Sequence, residues 1–321
     1  MPEAVIIFNP HAGTTNLAVQ LELVADTWRA RGWEIKIWPT EASGHAAQLA
    51  RYAARNGKAL VIAAGGDGTL GEVANGLAES ETIMAPLPVG TANSFARELG
   101  LPMPSARDRT QLLKASDALA AGLVQRMDLG FTPLADAGKQ YWLLWAGVGA
   151  DSYTVNKIEP RPSWLKKLGT IGYAVQGALA GSQFSHITAQ IEVDGRSFSD
   201  DYILILISNC RNYAGVLTIS PDSALDDGYF EVWLFKGKGL PKLSYHLMNV
   251  WRGAHVDAKD VECVNGRSVK ITTDSNAPVQ TDGDPTGSTP FACEIKPGAL
   301  RLLVPSNLPA GLFTQTGEPL N

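Results

Sequence analysis

The chain has little of what marks several common chemistries. Among 321 residues there are three cysteines, Cys210, Cys263 and Cys293, and five histidines. The cysteines are widely spaced and form no Cys-x-x-Cys pair, which fits a reducing compartment. Only His11 lies in a motif. No apolar stretch approaches the ~18 residues that cross a bilayer. Met1-Pro-Glu-Ala carries no basic leader and Val5–Phe8 is too short for a signal core, so a cytoplasmic protein is expected. The net charge of −5 gives no general attraction to nucleic acid or anionic membranes outside a local patch. Internal repeats, low-complexity tracts and the Gly-Lys-Ser/Thr of a Walker loop are also absent. What remains is an ordinary globular composition, 45% hydrophobic and 18% charged, at a length that suits about two domains.

The stretch that organises the rest is Leu60 to Leu77. An apolar run from Leu60 to Ala64 reads as a buried strand and stops at Gly65-Gly66-Asp67-Gly68-Thr69. Leu70, Val73 and Leu77 then recur at helical spacing, so the loop joins a strand to a helix N-terminus. Three glycines in four positions let backbone N–H groups approach a ligand, and the helix adds its positive dipole end. That is an anion cradle, most naturally for phosphate. Asp67 would repel a phosphate unless it faces a Mg²⁺, an orienting water or a hydroxyl. Asp67 as a plain helix cap explains one residue and leaves the glycines unexplained.

In chain order, Ala4–Phe8 reads as a strand ending at Asn9-Pro10-His11-Ala12-Gly13. A helical stripe of Leu17, Leu21, Val24 and Trp28 follows. Trp33–Trp38 is a second strand, ending at Thr40, and a helix runs from Ser43 to Arg55. Ile83–Val89 is apolar, but Pro86 and Pro88 demote it to an irregular or edge strand. It leads into Gly90-Thr91-Ala92-Asn93, and a last helix covers about Thr110–Ala121. This alternation predicts a doubly wound parallel α/β domain with Asn9, Thr40, Gly65–Thr69 and Thr91 gathered at the carboxyl ends of its strands. From Leu123 the rhythm changes to strands. They are Val124–Phe131, Tyr141–Val148, Ile187–Val193, Tyr202–Ser208, Tyr229–Phe235, Asp260–Val264, Val269–Thr272, Val279–Thr281, Cys293–Ile295 and Leu300–Val304. Asp194-Gly195 is a hairpin turn, and helices are predicted over Trp164–Ala180 and Leu240–Trp251. A mostly antiparallel β domain follows. Nothing past Pro305 shows a pattern.

These loops resemble the diacylglycerol kinase catalytic domain family, which includes bacterial lipid kinases, sphingosine kinases and ceramide kinases. The resemblance rests on Asn9-Pro10-His11-Ala12-Gly13, Gly65-Gly66-Asp67-Gly68-Thr69 and Pro88-Val-Gly-Thr-Ala-Asn-Ser-Phe-Ala-Arg97. Gly147-Val-Gly-Ala-Asp151, Asp226-Asp227-Gly228 and Asp282-Gly283-Asp284 stand in the family's order behind them. It implies an N-terminal α/β nucleotide-binding domain, taken as residues 1–125, and a C-terminal β-sandwich over 126–305. A tail over 306–321 would follow, with the active site in the cleft between the domains. It also implies ATP, Mg²⁺ and transfer of the γ-phosphoryl to a lipid hydroxyl, diacylglycerol-like or sphingoid-like. Residues carried over for ATP are Asn9, Pro10, His11, Ala12, Gly13, Thr40, Gly65, Gly66, Asp67, Gly68, Thr69, Leu70, Gly71, Thr91 and Asn93.

For the proton of the acceptor hydroxyl, the resemblance to bacterial relatives points to Asp282 or Asp284, with Asp67 organising Mg²⁺ or water. In sphingosine kinases a residue at the Asp67 position is favoured as the base instead. Asp284 departs from the family's usual glutamate, and by spacing alone Asp282-Gly283 is a hairpin turn. A structural Mg²⁺ is implied at Asp227 with the carbonyls of Ala224 and Tyr229. Lys157-Ile-Glu-Pro-Arg-Pro-Ser-Trp-Leu-Lys-Lys167 is a candidate contact for a membrane surface, against a solvated helix start. Other readings are an NAD kinase-like enzyme, which shares the central loop, and a catalytically silent nucleotide-binding regulator. The acceptor lipid and the oligomeric state are not legible.

Overall fold

The computed structural model of the protein describes residues 1–12, 17–90, 93–105, 108, 110–133, 139–153, 185–213 and 217–320. The chain forms two compact units. The first comprises Met1–Leu129, Ala224–Asp227 and Lys296–Asn321, and the second Gly130–Ser223 and Gly228–Ile295.

In the first unit strand and helix alternate as the apolar spacing requires. The elements are β1 (Glu3–Phe8), α1 (Leu17–Arg29), β2 (Glu34–Pro39), α2 (His45–Arg55), β3 (Leu60–Gly65), α3 (Asp67–Leu77) and β4 (Ile83–Pro88). The short α4 (Ser94–Glu98) and α5 (Gln111–Ala120) follow. The strands are parallel in the order β4-β3-β1-β2. From β1 the chain steps to β2 on one side and then crosses to β3 on the other. Successive right-handed crossovers therefore place helices on both faces. α1 presents Leu17, Leu21, Val24 and Trp28 to the core, and the Trp28 indole donates to Ser116 Oγ of α5 at 2.9 Å. The order reverses between β1 and β3, and such a switch point opens a crevice at the strands' carboxyl ends. Phe8 and Ala64 are register partners there.

β4 corrects one expectation. Despite Pro86 and Pro88 it is an interior strand, buried throughout. Ile83 and Val89 donate their N–H groups toward β3, to Ala59 and Gly65. With a period of two, Met84, Pro86 and Pro88 turn their nitrogens to the opposite side. There only Met84 is paired, with Leu302. The prolines thus fall where no ladder partner exists, so β4 is edge-like on one side alone.

The C-terminal boundaries also differ from the expectation of 126–305 and a separate 306–321 tail. The two strands read at Cys293–Ile295 and Leu300–Val304 are one, β17 (Phe291–Val304), whose second half belongs to the first unit. The residues beyond it are integrated. β18 (Glu318–Pro319) pairs with β5 (Leu123–Pro133), and Gln125 Nε2 donates to Gln315 O at 3.2 Å.

The second unit is antiparallel. It contains β6 (Lys139–Trp142), β7 (Trp145–Gly149), β8 (Ile187–Val193), β9 (Arg196–Ser208), β10 (Asn212–Tyr213), β11 (Leu217–Thr218), β12 (Phe230–Lys236) and α6 (Gly239–Trp251). It continues with β13 (Val261–Gly266), β14 (Ser268–Thr273), β15 (Pro278–Thr281), β16 (Asp284–Ser288) and the first half of β17. The single strand expected over Tyr141–Val148 is two, interrupted at Leu143 and Leu144. β9 builds two layers: its first half pairs with β8, and its second half lies between β7 and β12. β8 alternates Ile187, Ala189, Ile191 and Val193 inward, as an amphipathic strand must. These meet Val148, Ile205, Ile207, Val232 and Leu234 in one core. Trp142 stacks on Phe230 with ring centroids 5.1 Å apart. The helix expected over Trp164–Ala180 lies outside the described residues.

The Asp194-Gly195 hairpin forms as read, with both residues at positive φ. Asp194 also accepts hydrogen bonds from the Arg267 and Ser268 amides, at 2.9 and 2.8 Å. Desolvation pushes its pKa up, but these two amides, the Ser268 side chain and the Arg267 charge together leave the carboxyl below its ordinary value. A lowered folded pKa stabilises above the unfolded value and is lost as pH falls through the folded one. Asp194→Asn is therefore expected to lower the thermal midpoint at neutral pH. The deficit should shrink below about pH 4. Thermal scans across pH check this.

Candidate active site

The strand ends of the first unit converge as the crevice requires. After β1, Asn9 Oδ1 accepts the His11 amide at 2.8 Å and Asn9 O accepts the Ala12 amide at 3.0 Å. This turn holds Asn9, Pro10, His11 and Ala12 in one short curl. Thr40 follows β2 and donates its amide to Phe8 O at 2.8 Å, so its loop is tied to β1. Gly65 ends β3, Gly66 is the N-cap of α3, and Asp67, Gly68, Thr69, Leu70 and Gly71 form its first turns. Asn93 precedes α4. Gly13 and Thr91 lie outside the described residues.

Glycine does two different jobs here. A Cβ on Gly90 would lie 2.7 Å from Gly66 Cα, so the loops after β3 and β4 touch backbone to backbone. Gly68 is the opposite case. Its backbone is outside the left-handed region, and among the described residues nothing stands within 4 Å of where its Cβ would be. Neither conformation nor packing among the described residues calls for glycine, and in a helix it costs up to about 1 kcal/mol against alanine. A ligand approaching the first-turn N–H groups supplies a reason. Those groups have no intrahelical acceptor and favour an anion.

The carboxylates of α3 hold the neighbouring helices. α2 and α4 both begin with an N-cap residue in the left-handed conformation, Gly44 and Asn93, and neither N-cap side chain caps its own helix. Glu72 fills the role for α2, accepting from Gly44 N at 2.8 Å and Ala46 N at 3.0 Å. Asp67 fills it for α4, accepting from Ser94 N at 2.9 Å and Phe95 N at 3.0 Å. Asp67 is thus a cap, though for a helix 27 residues further on rather than its own. Each carboxylate oxygen keeps a second lone pair. Asn93 is buried: its Nδ2 donates to Gly90 O at 2.5 Å, while its Oδ1 has no hydrogen-bond partner.

In the second unit, Asp282 and Gly283 both have positive φ and link β15 to β16 as a two-residue hairpin, with Thr281 opposite Asp284. The turn is also a knot of side-chain bonds. The Asp282 carboxylate accepts from the amides of Leu143 and Leu144, both at 2.7 Å, and of Trp145 at 3.2 Å. These bonds split the strand expected over Tyr141–Val148. Gln280 ties the other side: its Oε1 accepts the Gly283 amide at 2.8 Å and its Nε2 donates to Asp151 at 3.0 Å. Tyr213 and Ser152 also donate to Asp151. Burial pushes the Asp151 pKa up, opposed by these donors. Asp284, by contrast, is exposed.

At the expected metal site, Ala224 is buried and Asp227 is half-buried. The neighbouring Asp226 carboxylate accepts from Thr314 N at 2.6 Å and Gln315 N at 3.0 Å. Tyr229 carries the Arg267 guanidinium 4.7 Å above its ring. Among the described residues no group of three or more His, Cys, Asp and Glu side chains could hold a metal. An ion at either place would draw on few protein ligands, the manner of Mg²⁺ bound with phosphates and water.

Sequence reasoning missed Glu72 and Gln280 altogether and gave Asp151 no role. Glu72 follows Asp67 by five residues on an unremarkable helix face. Gln280 was visible only as a neighbour of the acidic turn.

Comparison with known proteins agrees with this architecture. Residues 3–132 match the diacylglycerol kinase catalytic domain, and residues 146–304 match the YegS C-terminal NAD kinase beta sandwich-like domain. The chain is 31% identical over 293 residues to a diacylglycerol kinase of Bacillus subtilis, covering 90% of this chain and 92% of the relative. It is 29% identical to that of Staphylococcus carnosus, covering 89% of each. A crystal structure of a diacylglycerol kinase from Bacillus anthracis shares the fold, with a TM-score of 0.74, 24% identity and coverage of 94% and 96%.

Proposed function

Because the chain belongs to the diacylglycerol kinase catalytic domain family, we propose that it moves the γ-phosphoryl of ATP, with Mg²⁺, onto the hydroxyl of a diacylglycerol. Relatives of that name at about this level of identity support the acceptor. The observation that carries the nucleotide is Gly68 at the head of α3, a helical glycine for which the described residues give no structural reason.

The roles divide as follows. First-turn N–H groups of α3 receive the phosphates, with the Asn9–Ala12 turn and Thr40 beside them. The buried Asn93 Oδ1 offers an acceptor to the nucleotide. Mg²⁺ when bound neutralises phosphate charge, and the outward lone pairs of Asp67 are the chain's contribution to holding it. Asp227 with the Ala224 carbonyl is the candidate for a second, structural ion. As the acceptor oxygen bonds to the γ-phosphorus and ADP leaves, the hydroxyl proton passes to a carboxylate. We assign that carboxylate to the exposed Asp284, with Asp282, which accepts three backbone amides, fixing the turn that presents it.

Two substitutions test this. Gly68→Ala should weaken ATP binding about tenfold or more, by calorimetry, as a methyl group enters the phosphate's place. The thermal midpoint should stay or rise, because alanine is the better helix residue. Unchanged affinity would remove the nucleotide from α3. Asp284→Asn should lower kcat about a hundredfold or more while ATP affinity holds. Near-normal turnover in that variant, with loss in Asp282→Asn, would move the proton to Asp282.

A further inference from the structure

α6 carries two apolar faces where one suffices for folding. Leu243, His246 and Val250 are spaced at i, i+3 and i+7 and are buried against the second unit. This fixes the helix rigidly. Leu240, Leu247 and Trp251, at i, i+7 and i+11, form a second stripe that faces solvent, widened by Met248 beside it. Trp251 is 72% exposed, and Val256 in the 3-10 turn Ala254–Asp257 continues the surface. A contiguous patch of this kind marks a binding surface rather than scattered exposure.

Its chemistry selects the occupant. Lys238 and Lys242 are spent on Asp201 and Asp260. Arg252 and Lys259, also exposed, make no ion pair among the described residues and flank Trp251 and Val256, against one exposed carboxylate, Asp257. Leucine, methionine and an outward tryptophan beside free cations suit the boundary between acyl chains and anionic headgroups. A second copy of the chain fits less well. A two-fold contact sets the patch against itself and brings one carboxylate for every two free cations.

We propose that α6 and the turn after it form a docking surface for a bilayer containing anionic lipid, with Trp251 and Met248 entering the interface and Arg252 and Lys259 meeting headgroups. The choice of occupant rests on the lipid-kinase reading, so its test uses no turnover. Full-length protein is sedimented with mixed phosphatidylcholine–phosphatidylglycerol vesicles and with pure phosphatidylcholine. The wild type should prefer the mixed vesicles. Trp251→Ser and Met248→Ser should each lower binding about tenfold at unchanged thermal midpoint, and brominated acyl chains should quench the wild-type tryptophan fluorescence more than that of Trp251→Phe. Wild-type protein that ignores the vesicles, or variants that bind them equally, would overturn the proposal. So would sedimentation velocity showing a wild-type dimer that Trp251→Ser splits, since the face would then belong to a second copy. Vesicle binding lost in the variants, in a protein that phosphorylates no lipid, would uphold this surface and sink the lipid-kinase reading instead.

Discussion

Two carboxylates on one short helix hold together the loops at the carboxyl ends of the first unit's strands. Asp67 accepts the first amides of α4 and Glu72 those of α2, so α3 fixes the chain leaving β2 and the chain leaving β4. Caps of this kind are worth about 1 kcal/mol each, modest as stability. Their larger effect is positional. The loops carrying Thr40 and Asn93 cannot drift from the head of α3 without uncapping a helix. The bare contact of Gly66 with Gly90 then closes the loops after β3 and β4 against each other.

The second unit uses the same device for its acidic turn. A two-residue hairpin fixes its own backbone but not its place on the sheet. Asp282 supplies the place by collecting three amides from the break between β6 and β7, and Gln280 ties the turn to Asp151. A side chain used this way holds backbone from another part of the sheet to the turn. Its neighbour two residues on, Asp284, is exposed and is the proton acceptor proposed above. In both units an acidic residue in a motif acts first on backbone amides.

Much of this was legible in the sequence. Leu17, Leu21, Val24 and Trp28 announce α1 by spacing, and the glycine run after β3 announces the start of α3. What could not be read depends on neighbours far along the chain. Asp67 meets Ser94 and Phe95, and Asp282 meets Leu143, contacts separated by 27 and 139 residues with no local signature. Pro86 and Pro88 misled because a proline count says nothing about which edge of a strand its nitrogens face. The return of Lys296–Asn321 to the first unit was equally hidden, since Leu302 and β18 find their partners only in three dimensions.

The lipid-kinase reading assigns the phosphates to the head of α3 and the proton to the β15–β16 hairpin, on a chain whose described helices include none long and apolar enough to cross a membrane. The measurement that bears on it most directly is transfer of label from γ-³²P-ATP, with Mg²⁺, to a panel of lipids dispersed in vesicles, resolved by mass spectrometry and thin-layer chromatography. The account predicts Mg²⁺-dependent label in the lipid phase, with diacylglycerol the best acceptor and phosphatidic acid the product. Label appearing only in a water-soluble acceptor such as NAD, or no transfer from ATP that is demonstrably bound, would contradict it.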